Sequence, residues 1–270
     1  MKKDEYLSLD SIKAFTDWFA TSEAQGLSHN YYNFLKRTNV YFNDLPDALK
    51  QYEWHGDLKK NTSILKGIQS ELNIAVKNED FLSFRDASHN LMKWGGTMRG
   101  NNEWLSKESN FKVIHETLKL LKSEVDDIDE IKRVKDLRFN SGLTKVYSLI
   151  ADDFIIYDSR VAAALAWYVL KFIKAKNINA IPNELKFVCM KARDGKQQRN
   201  PLAGEGAFEY TKHNHPEIHA QWNIRASWIL SAALNRMSGS IYHDQDGLQP
   251  LRALEAALFM WGYDLNTIKS

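Results

Sequence analysis

Apolar residues recur three or four positions apart along most of this chain, which is the spacing that lays them on one face of a helix. Ile12, Phe15, Trp18 and Phe19 predict a first helix, capped by Asp10. Tyr31, Tyr32, Phe34 and Leu35 predict a second, ending near Thr38, and Pro46 opens a third that runs to about Trp54. Ile64, Leu65, Ile68, Leu72 and Val76 mark a helix over 58–76, and Phe81, Phe84, Ala87, Leu91 and Met92 mark another over 79–93. The run Trp94-Gly95-Gly96-Thr97-Met98-Arg99-Gly100-Asn101-Asn102 breaks the period, as paired glycines at a helix C-terminus do. A helix over 111–125 follows, and Asp126, Asp127, Asp129 and Glu130 open the next, with Lys132, Arg133, Lys135 and Arg138 towards its end.

The centre of the chain reads as a turn at Gly142, a short helix carrying Lys145, and the run Phe154-Ile155-Ile156-Tyr157, which has no helical face of its own. Asp158 then caps a helix to about Lys174 that is apolar nearly all round, the pattern of a central core helix. From 176 to 210 the period is lost, apart from a short apolar piece at 185–190. Lys191, Arg193, Lys196 and Arg199 there read as a mobile basic flap, or equally as a solvated surface loop. Helices over 219–236, with Trp222 inward, and from Pro250 to about Met260 complete the chain; Trp222 and Trp228 read as core. The expected fold class is all-α, with two helical lobes, approximately 1–125 and 126–270, forming a single domain.

Composition narrows this picture. Five Pro and 13 Gly are few for 270 residues, which favours helices over a many-turned β fold. A net charge of +2 does not by itself require nucleic acid, and a nucleic-acid-binding protein of this charge would need a local basic face. The single Cys189 excludes an intramolecular disulfide and an iron–sulfur cluster held by four cysteines of the chain itself, and fits a reducing, cytoplasmic compartment. No apolar run reaches membrane length, and no signal peptide is visible after Met1. His213-Asn-His215-Pro216-Glu217-Ile-His219 invites a metal reading, but Pro216 breaks the helix that would align the histidines, so neither a metal nor another cofactor is expected.

Gly142-x-x-Lys145, an apolar run, then Tyr157-Asp158-Ser-Arg160-Val resembles the centre of the helix-hairpin-helix DNA glycosylases, and in particular their 8-oxoguanine-glycosylase-like branch. The segment from Leu251 to Asp264 is similar to that branch's closing helix. The turn itself departs from the family's Leu-Pro-Gly-x-Gly and reads Arg138-Phe-Asn-Ser-Gly142-Leu-Thr, with a shorter interval from lysine to aspartate. The resemblance implies a two-lobed fold with a helix-hairpin-helix-like turn, Lys145 as nucleophile and Asp158 as the carboxylate beside the reacting sugar. It also implies double-stranded DNA carrying a damaged or modified base as partner, with no membrane and no obligate protein partner. Gly142, Thr144, Arg160, Arg99, Arg193 and Arg199 become the residues expected to contact it. Asn101 and Asn102, in the same loop as Arg99, could probe the duplex.

Excision of a base needs it out of the stack, in a pocket with phosphate contacts around it. A carboxylate stabilises the developing sugar cation. An amine nucleophile must be neutral, and a free lysine with a pKa of ~10.4 needs burial or a nearby cation for that. Attack by Lys145 gives a Schiff base and opens a lyase step; a positioning role gives a monofunctional enzyme. The base is an oxidised purine by family default, in base-excision repair, or a bulky modified base of phage DNA, in defence. Against this stands a non-enzymatic helical module binding nucleic acid or a protein, for which Lys145 is a solvated lysine and Asp158 only a cap. A third reading is a subunit of a larger assembly.

Overall fold

A computed structural model describes residues 1–192, 195–201 and 215–266. It is mostly helical, 57% helix against 5% strand, so the class is all-α. In chain order the elements are α1 (Lys3–Ser8), α2 (Asp10–Phe19), α3 (Ser22–Gln25), β1 (His29–Asn33), β2 (Thr38–Phe42), α4 (Leu45–Lys50), α5 (Leu58–Lys77), α6 (Phe81–Trp94) and α7 (Asn101–Leu105). They continue with α8 (Ser109–Lys122), α9 (Ile128–Lys132), α10 (Leu143–Ile150), α11 (Ser159–Ala175), a 3-10 turn (Asn183–Leu185), α12 (Pro216–Leu234) and α13 (Pro250–Trp261). Among the described residues no helix is long and apolar enough to cross a membrane.

Aspartates cap five of these helices. Asp44, Asp57, Asp80, Asp127 and Asp158 each accept first-turn backbone N–H groups of α4, α5, α6, α9 and α11. Asp10 is a correction: Leu9 holds the cap position of α2, and Asp10 is the first helical residue. There its charge faces the helix dipole without bonding the backbone.

The second predicted helix is also corrected. The segment from His29 to Phe42 is an antiparallel hairpin, with His29 opposite Phe42 and Asn33 opposite Thr38. His29, Tyr31 and Asn33 are buried while Tyr32 is exposed, so the period is two. The spacing of Tyr31, Tyr32, Phe34 and Leu35 fits a helix equally well. The turn decides: Asn33 Oδ1 accepts the N–H groups of Leu35 (3.0 Å) and Lys36 (3.1 Å), and Arg37 sits at φ 53°.

The chain forms two compact units, each gathered from separate segments. The first takes Met1–Lys3, Trp54–Ile156 and Lys212–Ser227, and the second takes Asp4–Glu53, Tyr157–Thr211 and Trp228–Ser270. Residue 126 therefore lies inside the first unit. In that unit α5 packs along α6, and α10 lies against both. In the second, α11 is the core: every position from Val161 to Val169 is buried. Phe15 and Phe19 of α2 meet its Phe172 and Tyr168 edge-on, at 5.5 and 4.9 Å between ring centres. The C-terminal end of α13 meets the first turn of α11 so closely that a Cβ on Gly262 would stand 1.9 Å from the Arg160 carbonyl oxygen. Gly262 has φ −83°, so this approach, and not backbone freedom, demands the glycine.

Candidate functional site

In the first unit the turn before α10 is held by side chains. Asn140 Oδ1 accepts the N–H groups of Gly142 (2.8 Å) and Leu143 (3.0 Å). Asn140 Nδ2 donates to Asn101 Oδ1 at 3.0 Å, and Arg138 Nε donates to the same oxygen at 3.1 Å. Arg138 also reaches the Gly100 carbonyl at 3.1 Å, and Asn101 Nδ2 donates to the Thr97 carbonyl at 2.8 Å. The 94–101 loop and the 138–143 turn are thereby one hydrogen-bonded block. Gly142 is part of it: a Cβ there would stand 2.1 Å from Asn101 Nδ2. Asn101 is 5% exposed and spent on this block, so it is not a duplex probe.

Lys145 lies in the first turn of α10 and is only 5% exposed. Its Nζ donates to the Ser141 carbonyl at 2.5 Å. Its chain lies against α6's C-terminal glycine: a Cβ on Gly95 would stand 2.6 Å from both Cδ and Cε. Gly95 has φ −80°, a conformation any residue adopts, whereas Gly96 has φ 63°. The glycine pair thus does two things: Gly96 makes the positive-φ turn, and Gly95 leaves room for the lysine.

The run 154–156 belongs to no helix or strand, and α12 pairs the backbone of Ile155. Ile155 N–H donates to Ser227 Oγ at 3.2 Å, and Asn223 Nδ2 donates to the Ile155 carbonyl at 3.0 Å. Asn223 Oδ1 also accepts the Thr144 hydroxyl. Thr144 is fully buried in this network, which removes it from the residues expected to touch a ligand. Tyr157 is buried too, its hydroxyl on the Val188 carbonyl at 2.9 Å.

In the second unit Asp158 caps α11 with one oxygen. Oδ1 accepts the N–H groups of Arg160 (2.9 Å) and Val161 (3.1 Å), and Oδ2 makes no hydrogen bond among the described residues. A cap and a reactive carboxylate are therefore compatible in one half-exposed side chain. Arg160 lies over rings, its guanidinium carbon 4.1 Å from the centre of Phe259 and 4.7 Å from that of Tyr263. Arg199 is a correction: it is 6% exposed, not part of a solvated flap, and its Nη1 donates to Ser159 Oγ at 3.1 Å. Arg99 is exposed on the 94–101 loop. Arg193 lies outside the described residues, as does His213.

The residues expected at one centre therefore divide: Gly142, Thr144, Lys145 and Arg99 belong to the first unit, and Asp158, Arg160 and Arg199 to the second. Sequence reasoning does not single out Gly95, Asn140, Asn223 or Tyr263 as site-building residues, and it singles out Asn101 only as a duplex probe. Of these only Asn140 carries a local signal, an Asn two residues before a glycine at a helix start. Among the described residues no group of three or more His, Cys, Asp or Glu side chains could hold a metal ion; His215 lies 3.2 Å from Glu217. No family model, curated protein or solved structure matches the chain.

Proposed function

We propose that this protein is a DNA glycosylase of the helix-hairpin-helix type, with Lys145 as the amine nucleophile and Asp158 as the carboxylate that stabilises the sugar cation. The observation that carries the reading is the buried amine of Lys145 on a braced helix start. A lysine is among the residues least often fully buried, and Lys145 is 5% exposed. A merely solvated lysine has no use for a glycine that makes room for it, nor for a turn locked by Asn140, Asn101 and Arg138. The all-α class and the free Oδ2 of the Asp158 cap support the same reading. Attack at the sugar carbon C1′ forms the Lys145 N–C bond as the glycosidic bond breaks, and the base leaves with the electron pair and takes up a proton; the C1′–O4′ bond then opens, its oxygen taking the proton that the amine loses, and the Schiff base so formed can be reduced in place by borohydride.

The test is borohydride trapping on duplexes containing 8-oxoguanine, uracil or an abasic site, and on phage DNA with modified bases. A trapped adduct is expected for one substrate, and Asp158→Asn should slow its formation at least about 100-fold while duplex binding changes little. Alkali-labile sites that vanish in Asp158→Asn, without an adduct, would indicate a monofunctional enzyme. Binding without either product would favour the non-enzymatic module.

Gly95→Ala separates position from fold. The new methyl meets the far, flexible end of Lys145 and no backbone atom nearer than 3.4 Å, so the lysine moves and the helix stays. Gly to Ala at a tolerated φ stabilises by about 0.4–1 kcal/mol. Displacing a reacting amine by about 1 Å costs on the order of 100-fold. The variant is expected to unfold at or above the wild-type temperature and to form adduct about 100-fold more slowly. Gly67→Ala, with nothing within 4 Å of its added Cβ, is the control.

A further inference from the structure

Four of the nine large apolar side chains exposed among the described residues fall on one hairpin, β1–β2: Tyr32 (39% exposed), Phe34 (45%), Leu35 (80%) and Tyr41 (57%). The register sets which way the two tyrosines face. Tyr41 stands opposite Asn30 and Asn39 opposite Tyr32, so Tyr32 and Tyr41 are diagonal neighbours on one side of the sheet. Tyr31 and Phe42 take the other side, where Tyr31 stacks on Tyr263 at 5.0 Å between ring centres and Phe42 on Trp261 at 5.9 Å. That buried side fixes the hairpin to the core and leaves the outer rings open to solvent. Phe34, just past the end of β1, meets Tyr32 edge-on at 5.1 Å.

The hairpin is also free of acids. No Asp or Glu stands between Glu23 and Asp44, while Lys36 and Arg37 sit at the turn. Lys36 pairs with Glu53, and an exposed pair of this kind is weak enough for a phosphate to compete with it. The Arg37 side chain makes no hydrogen bond or ion pair among the described residues. The other acid that borders the hairpin, Asp47, lies at its base, where it accepts the Asn43 N–H at 2.9 Å and the Gln51 amide at 3.1 Å. The unpaired positive charge is therefore at the turn, three positions from Phe34.

This combination selects the partner. An apolar protein surface laid on the hairpin would strip water from Arg37, from the Tyr32 hydroxyl and from the amide of Asn39, which donates to the Tyr41 hydroxyl at 3.3 Å. Unpaired nucleotides satisfy each group: a base lies flat on each ring, a phosphate meets the guanidinium, and base edges accept from amide and hydroxyl. We propose that the outer face of the β1–β2 hairpin, with Tyr32, Phe34, Tyr41 and Arg37, binds single-stranded nucleic acid, its bases stacked on the rings and its backbone paired with Arg37. Binding there involves no step at Lys145 or Asp158, so it stands or falls apart from the glycosylase reading.

The experiment is fluorescence anisotropy of labelled, undamaged oligothymidine titrated with the full chain at several salt concentrations. Wild type is expected to bind saturably. Tyr32→Ala and Tyr41→Ala should each weaken binding about 10-fold, and Tyr32→Phe, which keeps the ring, should bind as wild type does. Arg37→Asn removes the charge and suits the φ of 53° at that position. It should lower the slope of log affinity against log salt by about 0.7, the value for one phosphate contact on a single strand. All four side chains are exposed, so circular dichroism and melting curves should match the wild type. Absence of single-strand binding, binding unchanged by both alanines, or a salt slope unchanged in Arg37→Asn would overturn the proposal. So would a wild-type dimer in sedimentation that Tyr32→Ala dissolves, because a second copy of the chain would then cover the face.

Discussion

Lys145→Gln is expected to abolish the borohydride-trapped adduct while leaving the protein folded and able to bind duplex. The two halves of that expectation come from the same geometry. The wild-type lysine is 5% exposed and its amine donates to the Ser141 carbonyl. Glutamine retains a donor that can reach towards that carbonyl, keeps most of the apolar stem beside Gly95, and carries no charge to desolvate. Its amide nitrogen, with its lone pair delocalised, cannot attack a sugar carbon. The variant therefore removes the nucleophile without opening a cavity. Matched circular dichroism and melting curves, with duplex affinity unchanged within about threefold, would establish that the fold is intact. An adduct that persists in Lys145→Gln would move the nucleophile to another amine. An adduct lost together with the fold would be read through Gly95→Ala, which disturbs the same amine from outside α10.

The sequence made α11 legible because nearly every residue in it is apolar and an aspartate stands at its start; both survive in the structure. The same local logic fails at α10. Leu143-Thr-Lys-Val-Tyr-Ser-Leu-Ile alternates polar and apolar positions as a half-solvated helix does, yet Thr144, Lys145 and Ser148 are all buried. What buries them lies far off or outside the helix: Asn223 takes the Thr144 hydroxyl across 79 positions, and the Ser141 carbonyl holds the amine. Arg199 shows the converse. In sequence it is one of several basic residues in an aperiodic stretch, and its burial follows from Tyr263, 64 positions away by the numbering. Partnerships of this kind leave no trace in a hydrophobic period, because period reports only which residues share a face. The hairpin at 29–42 was hidden for a different reason: a short aromatic cluster fits either period, and only the Asn33 turn separates them. The glycine pair falls between. Gly96 is readable as a helix stop, while the need for Gly95 exists only once Lys145 is placed against it.

A second large effect is expected in acid, and it arises from a residue outside the proposed chemistry. His29 is 3% exposed, with its ring centre 5.2 Å from Trp261 and 5.8 Å from both Tyr31 and Trp167. Its Nε2 lies 2.8 Å from the Asp264 carbonyl, so Nε2 carries the proton; Nδ1 is buried with no donor. Burial pushes its pKa down from 6.5 to about 4, opposed by the Asp264 carbonyl and helped by the charge of Lys171. Between those values the unfolded chain binds a proton at His29 that the folded chain refuses. Stability from this residue is therefore fully present above pH 6.5 and is lost as the pH falls towards 4. At 1.36 kcal/mol per unit the loss amounts to about 3 kcal/mol. Carboxylates titrate in the same window, so the comparison that isolates the effect is with His29→Gln, which keeps a donor for the carbonyl and cannot be protonated. Denaturant midpoints measured from pH 7.5 to pH 4 should fall more steeply for wild type than for the variant, with the curves converging or crossing on the acid side. Parallel curves would mean that His29 accepts its proton in the folded state as readily as in the unfolded one. That outcome would require the ring to reach water or an acceptor that the packing of Trp261, Tyr31 and Trp167 does not provide.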